Sequence, residues 1–193
     1  MEFKAIVDTK ARSACGCAVV GVHENGDLGT AARLIDAQID GIIGRLIASG
    51  DFAGKLGDTL LLPHPAGAAA ERVLLTGLGP QASFGRKPYR KAVHSSAQAI
   101  LKTGASDATV YLAQHDVPGM DGHCRARAIA EIFSAAAYRI PDLKSATKPK
   151  PSKLAAVSVA AESARALKST ASGLEIGAAV ASGSAGEIGR AHV

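Results

Sequence analysis

Residues 72–77 read Arg72-Val73-Leu74-Leu75-Thr76-Gly77, a short apolar run stopped by a glycine. A continuous run of this kind, without polar alternation, suits a strand covered on both faces, as in the middle of a sheet flanked by helices. Upstream, Thr59-Leu60-Leu61-Leu62, bounded by Pro63 and Pro65, has the same character, and both runs predict central strands. Downstream, Pro88 suits the first turn of a helix, and Tyr89, Ala92, Val93, Ala97, Ile100 and Leu101 continue one apolar face until Gly104. Strand followed by amphipathic helix is the repeating unit.

The pattern extends in both directions. Glu2 to Val7 predicts a short strand, Ala14 to Val22 a buried one, and His23-Glu24-Asn25-Gly26-Asp27 a turn. From Thr30 to Ala48, Ala31, Leu34, Ile35, Ile39, Ile42, Ile43 and Leu46 recur at helical spacing with Gly50 as the stop, which predicts one helix of about five turns. A strand follows at Thr109 to Ala113. Asp121 caps a helix whose buried stripe is Ala128, Ile129, Ile132, Phe133 and Ala136, ending at Tyr138. Residues 144–153, with Lys148-Pro149-Lys150-Pro151, predict an exposed basic loop, because the prolines forbid helix. A strand at Leu154 to Val159 and a helix at Glu162 to Ser182 complete an α/β chain expected to fold as a three-layer α/β/α sandwich.

Composition narrows the function. At 193 residues, with 47% hydrophobic and 20% charged residues, the chain can build one α/β domain with a full core. Aromatics are 4% with no Trp, so recognition by stacking on nucleic-acid bases or sugars has few rings to use. No apolar run is long enough to span a membrane, and Met1-Glu2-Phe3-Lys4 lacks the layout of a secretory signal, so a soluble cytoplasmic location is expected. Cys15, Cys17 and Cys124 are then reduced thiols. A net charge of +5 suits an anionic partner such as DNA, but also enzymes with none.

Three motifs are candidates for chemistry. Gly77-Leu78-Gly79-Pro80-Gln81-Ala82 matches the loose form of a dinucleotide-binding loop, yet Pro80, Gly85 and Pro88 delay the helix whose amides would meet a pyrophosphate. It is read as a strand-ending turn. His115-Asp116 with His123-Cys124 gathers potential metal ligands, without any zinc spacing behind them. Cys15 and Cys17 flank Gly16, so in a strand both thiols share one face and serve as core filler. No motif supplies an active site.

A resemblance enters with Arg12-Ser13-Ala14-Cys15, with Ile39-Asp40-Gly41-Ile42-Ile43 through Gly50-Asp51-Phe52-Ala53-Gly54-Lys55 to Thr59-Leu60-Leu61-Leu62, and with Glu71-Arg72-Val73-Leu74-Leu75-Thr76-Gly77-Leu78-Gly79. Collinear over residues 1–183, these stretches resemble the N-terminal domain of the leucyl aminopeptidases of metallopeptidase family M17. The resemblance implies a macro-domain-like mixed sheet in an accessory domain of a cytosolic exopeptidase that prefers N-terminal Leu and assembles as a homo-hexamer. It also implies that two divalent metals, Zn or Mn, sit in a catalytic domain beyond this chain; its NTDAEGR-type stretch is absent here, so no catalytic, cofactor or metal residue is carried over and the chain alone is expected to be inactive. Some bacterial members bind DNA, which makes Lys144, Lys148, Lys150 and Lys153 candidate phosphate contacts, although a solvated surface loop is the favoured reading. The alternative is a free-standing macro-like module for an anionic ligand or DNA. Residues 184–193 are expected to be a non-native tail: Glu187 to Val193 continue no periodic element and resemble the translated start of a sequencing adapter.

Overall fold

The computed structural model describes residues 1–138 and 151–190, with the side chains of the last helix as far as residue 183. Strands are β1 (Glu2–Val7), β2 (Ala18–His23), β3 (Thr59–Pro63), β4 (Arg72–Gly79), β5 (Asp107–Val110) and β6 (Ala156–Ala161). Helices are α1 (Thr30–Gln38), α2 (Ile42–Ser49), α3 (Arg86–Leu101), α4 (Gly122–Tyr138) and α5 (Leu167–Arg190). The strands form one sheet in the order β1-β6-β5-β2-β4-β3. Every neighbouring pair is parallel except β3 with β4.

Side-chain alternation splits the core between the two faces of this mixed sheet. On one face Val19, Leu74, Val110, Val157 and Val159 pack beneath α3, α4 and α5 through Tyr89, Val93, Ile129, Phe133 and Leu174. On the other, Val20, Val22, Val73 and Leu75 meet Ile35 of α1, Ile39 just past its end and Ile43 of α2. Strand β4 is buried from Val73 to Gly79, as its unbroken apolar run requires. Helices α4 and α5 touch backbone to backbone: a Cβ on Gly173 would overlap the carbonyl of His123, and one on Gly177 would lie 2.5 Å from the carbonyl oxygen of Arg127.

The structure corrects several expectations. Thr59–Pro63 is the edge of the sheet and not a central strand; it pairs only through β4, Leu61 opposite Leu74, and an edge accommodates the missing amide of Pro63. The single helix expected over Thr30 to Ala48 is two. Asp40 and Gly41 are left-handed, at φ 58° and 71°, and Asp36 Oδ1 accepts the Ile43 amide at 2.7 Å to cap α2. The apolar spacing carries across this break because Ile39 and Ile43 are both buried on either side of it. Strand β2 begins at Ala18, after a bend at Gly16, so Cys17 and Cys15 are not on one face: Cys17 joins the α3–α5 core and Cys15 packs on the α1–α2 side. His23 is the last residue of β2 and buried, not part of the turn. Finally, α5 runs on to Arg190, past the end expected at Ser182.

Candidate functional site

In an open parallel sheet, ligands bind beyond the carboxyl ends of the strands, at the point where successive connections leave on opposite faces. Here that point lies between β2, which leads to α1 on one face, and β5, which leads to α4 on the other. It is filled by side chains. The ring of His115 lies against the backbones of Gly21 and Gly29; a Cβ on Gly21 would be 2.7 Å from Nε2. His23 packs edge-on to Phe84 at 4.9 Å and to His115 at 6.0 Å. Its Nδ1 donates to the Gly79 carbonyl at 3.1 Å, because a carbonyl can only accept. Burial, with the neighbouring His23 and Arg125, pushes the His115 pKa down to about 4 against an opposing pull from Asp27. His115 is therefore neutral at pH 7, a packing ring and not a charged ligand for an anion.

Arg125, 4% exposed, ties this region together. It donates to the His115 carbonyl and, at 3.0 Å, to Glu162 just past β6, while its Nε has no partner. Beside it, the glycine-rich end of β4 is equally occupied. The amide of Gly77 donates to Asp58 at 2.7 Å and that of Gly79 to Gly54 at 3.0 Å, and Gly57 donates back to Gly77 at 3.1 Å. A Cβ on Gly77 would collide with the carbonyl of Lys55. The glycines thus admit the 54–58 segment of this same chain against β4, and the amides of Gly77 and Gly79 are already satisfied. Helix α3 starts only at Arg86. What stays open is a hollow lined by Glu24, Asn25, Pro80, Gln81 and Ala82, whose one charged group is a carboxylate.

Lys144, Lys148 and Lys150 lie outside the described residues; Lys153 is exposed in the coil before β6. The His115-Asp116 and His123-Cys124 pairs do not converge, since His115 is packed inward while the amide of Cys124 bonds to the capping carboxylate of Asp121 at 2.8 Å. Among the described residues no three His, Cys, Asp or Glu side chains gather as a metal site. Burial pushes the Cys17 thiol up to about 12, which makes it core filler. Sequence reasoning missed the His23, Phe84, His115 and Arg125 cluster. These residues lie far apart in the chain and obey no common spacing; the one available signal was a histidine directly following the apolar run of β2.

Residues 19–147 match the family described as "Cytosol aminopeptidase family, N-terminal domain". The probable cytosol aminopeptidase of Halorhodospira halophila is 40% identical over 149 residues, 77% of this chain and 30% of that protein. That of Nitrosomonas europaea is 33% identical over 183 residues, 95% of this chain and 37% of that protein. The chain therefore spans about a third of the length of these relatives. Among solved structures, a tomato leucine aminopeptidase mutant superposes with a TM-score of 0.71 at 18% identity, covering 95% of this chain and 36% of its own. A Trypanosoma brucei macrodomain in complex with ADP superposes with a TM-score of 0.65 at 15% identity, covering 90% and 69%, a likeness of fold alone. By the matched residues and the extent of these relatives, the chain belongs to the cytosol aminopeptidase family, as its N-terminal domain.

Proposed function

We propose that this chain is the accessory domain of a cytosolic, hexameric leucyl aminopeptidase that releases N-terminal residues, Leu preferred, with two divalent metals held in a catalytic domain outside these residues. The observation that carries the reading is the family match over residues 19–147 together with the span of about a third of each relative. The described residues do not offer the carboxylate cluster that two metals need, so no step of the hydrolysis is assigned to them. Helix α5 supports the same reading: Ile176 and Val180, 40% and 42% exposed, form an apolar strip that suits a neighbouring domain. Residues 1–183 are the native domain in this reading and 184–193 a tail of other origin.

The runner-up, a free-standing module for an anionic ligand, has the macrodomain likeness in its favour and the filled crevice at His115 against it. Binding of DNA through Lys144, Lys148, Lys150 and Lys153 is the weaker variant of that alternative, as solvated lysines are the ordinary state of such a loop.

The test is to recover the coding sequence past Gly183 from its source DNA and assay the product on a chromogenic leucyl amide. The expected result is release of leucine that a chelator abolishes and that the 193-residue chain alone does not show. A genuine stop codon after Val193, with ADP or DNA binding by the isolated chain, would sink the aminopeptidase reading.

A further inference from the structure

The outer edge of β1 is open: among the described residues no strand pairs with it. Its register decides which backbone groups face outward. The Glu2 amide donates to the Ala155 carbonyl at 2.8 Å. In a parallel ladder the polar groups of Glu2, Lys4 and Ile6 then turn inward to β6, and those of Phe3, Ala5 and Val7 turn outward, unpaired. Edge strands usually carry a device against pairing, such as a proline, a bulge, very short length or charged side chains, lysine above all. β1 has six residues, no proline and an unbroken register with β6. Its charges, Glu2 and Lys4, sit two apart on one face, and Met1 and Val7 at its ends are each 42% exposed.

This edge complements itself. We propose that β1 pairs antiparallel with β1 of a second copy of this chain, about a twofold axis at Phe3, joining two six-stranded sheets into one. Opposed residues in an antiparallel pair share a face, so only registers that place odd residues opposite odd ones are allowed. With Phe3 opposite Phe3, the outward amides and carbonyls of Phe3 and Ala5, with the amino group and carbonyl of Met1, meet their counterparts, and Glu2 stands opposite Lys4 twice, in the closer, non-hydrogen-bonded positions. Sliding the register so that Phe3 opposes Ala5 sets Lys4 against Lys4. Sliding it again, so that Ala5 opposes Ala5, sets Glu2 against Asp8. Charge therefore selects the first register, and the contact is isologous, as a closed dimer requires. Helix α5 packs over β1 on the other face of the sheet, so the charged pairs form on the side away from α3, α4 and α5.

The oligomeric state of the 193-residue chain tests this, measured by sedimentation velocity from low to high micromolar concentration, with circular dichroism verifying the fold of each variant. The wild-type chain is expected to dimerise. Lys4→Glu and Glu2→Lys each create two like-charge oppositions and are expected to weaken the dimer about tenfold or more, whereas the double exchange restores it to within about threefold. Ala5→Pro removes an outward amide at a site where an edge strand tolerates proline, and is expected to leave a folded monomer. A chain that stays monomeric throughout, a dimer indifferent to the single reversals, or a double exchange that fails to rescue overturns the proposal. So does a dimer that dissolves on Ile176→Asp, which assigns the contact to α5.

Discussion

Asp8 directly follows β1 and gathers donors from several directions. Its carboxylate accepts from the hydroxyls of Ser13 and Tyr111, each at 2.6 Å, and from the amides of Lys10, Arg12 and Ser13. Burial alone would raise its pKa; the hydroxyl and amide donors outweigh that and hold it down at about 2. The folded value lies below the unfolded one of 3.8, so this contribution to stability is complete above about pH 4 and lost as pH falls towards 2. Asp8→Asn, which places an amide against donors, is expected to cost about 1–3 kcal/mol at neutral pH and to flatten that acid limb in urea-unfolding midpoints taken against pH. His115 has the same sign in a higher window. With a folded pKa of about 4 against an ordinary 6.5, its neutral form contributes fully above pH 6.5, and stability declines as pH falls from there to 4. His115→Gln should remove the slope between pH 6.5 and 4; an unchanged slope would show that the ring is not buried as described. Neither residue announced its role in the sequence, because Tyr111 reaches Asp8, and Gly21 reaches His115, only after the strands have aligned.

Among the elements, the pair α4 and α5 shows how glycine placement acts through packing. Gly173 and Gly177 face the carbonyls of His123 and Arg127, whereas Gly183, on the same helix, has nothing within 4 Å of a built Cβ. Gly173→Ala and Gly177→Ala are each expected to destabilise the chain by about 1–3 kcal/mol through overpacking. Gly183→Ala is expected to be neutral or to stabilise by up to about 1 kcal/mol through helix propensity. Thermal unfolding followed at 222 nm separates the two cases, and equal effects at all three sites would refute the close approach. The helical stripes of α3 and α4 were legible because one face of each is buried at regular spacing. The break between α1 and α2 was not, since Ile39 and Ile43 stay buried across it and periodicity alone cannot see a left-handed Asp40-Gly41 turn.

On the scale of the whole molecule, two cores share one sheet, and the strip of Ile176 and Val180 is 40% and 42% exposed. Ile176→Asp and Val180→Asp are expected to shift the stability of the isolated chain by less than about 0.5 kcal/mol, as exposed positions do, yet to lower the melting temperature of the longer, two-domain protein proposed above. Equal shifts in both would deny that another domain covers the strip. The sequence by itself determined the alternation of strands and helices, the burial of β4 and the family, because apolar periodicity and collinear motifs are local and survive without coordinates. Tertiary structure decided which strand is an edge and how the carboxyl ends of the sheet are filled. Those outcomes depend on pairing between distant segments: Thr59–Pro63 became an edge by pairing with β4 alone, and the Gly77 and Gly79 amides were claimed by residues 54–58. A glycine-rich turn has the same local sequence whether it awaits a phosphate or another part of its own chain. Only the folded neighbours distinguish the two.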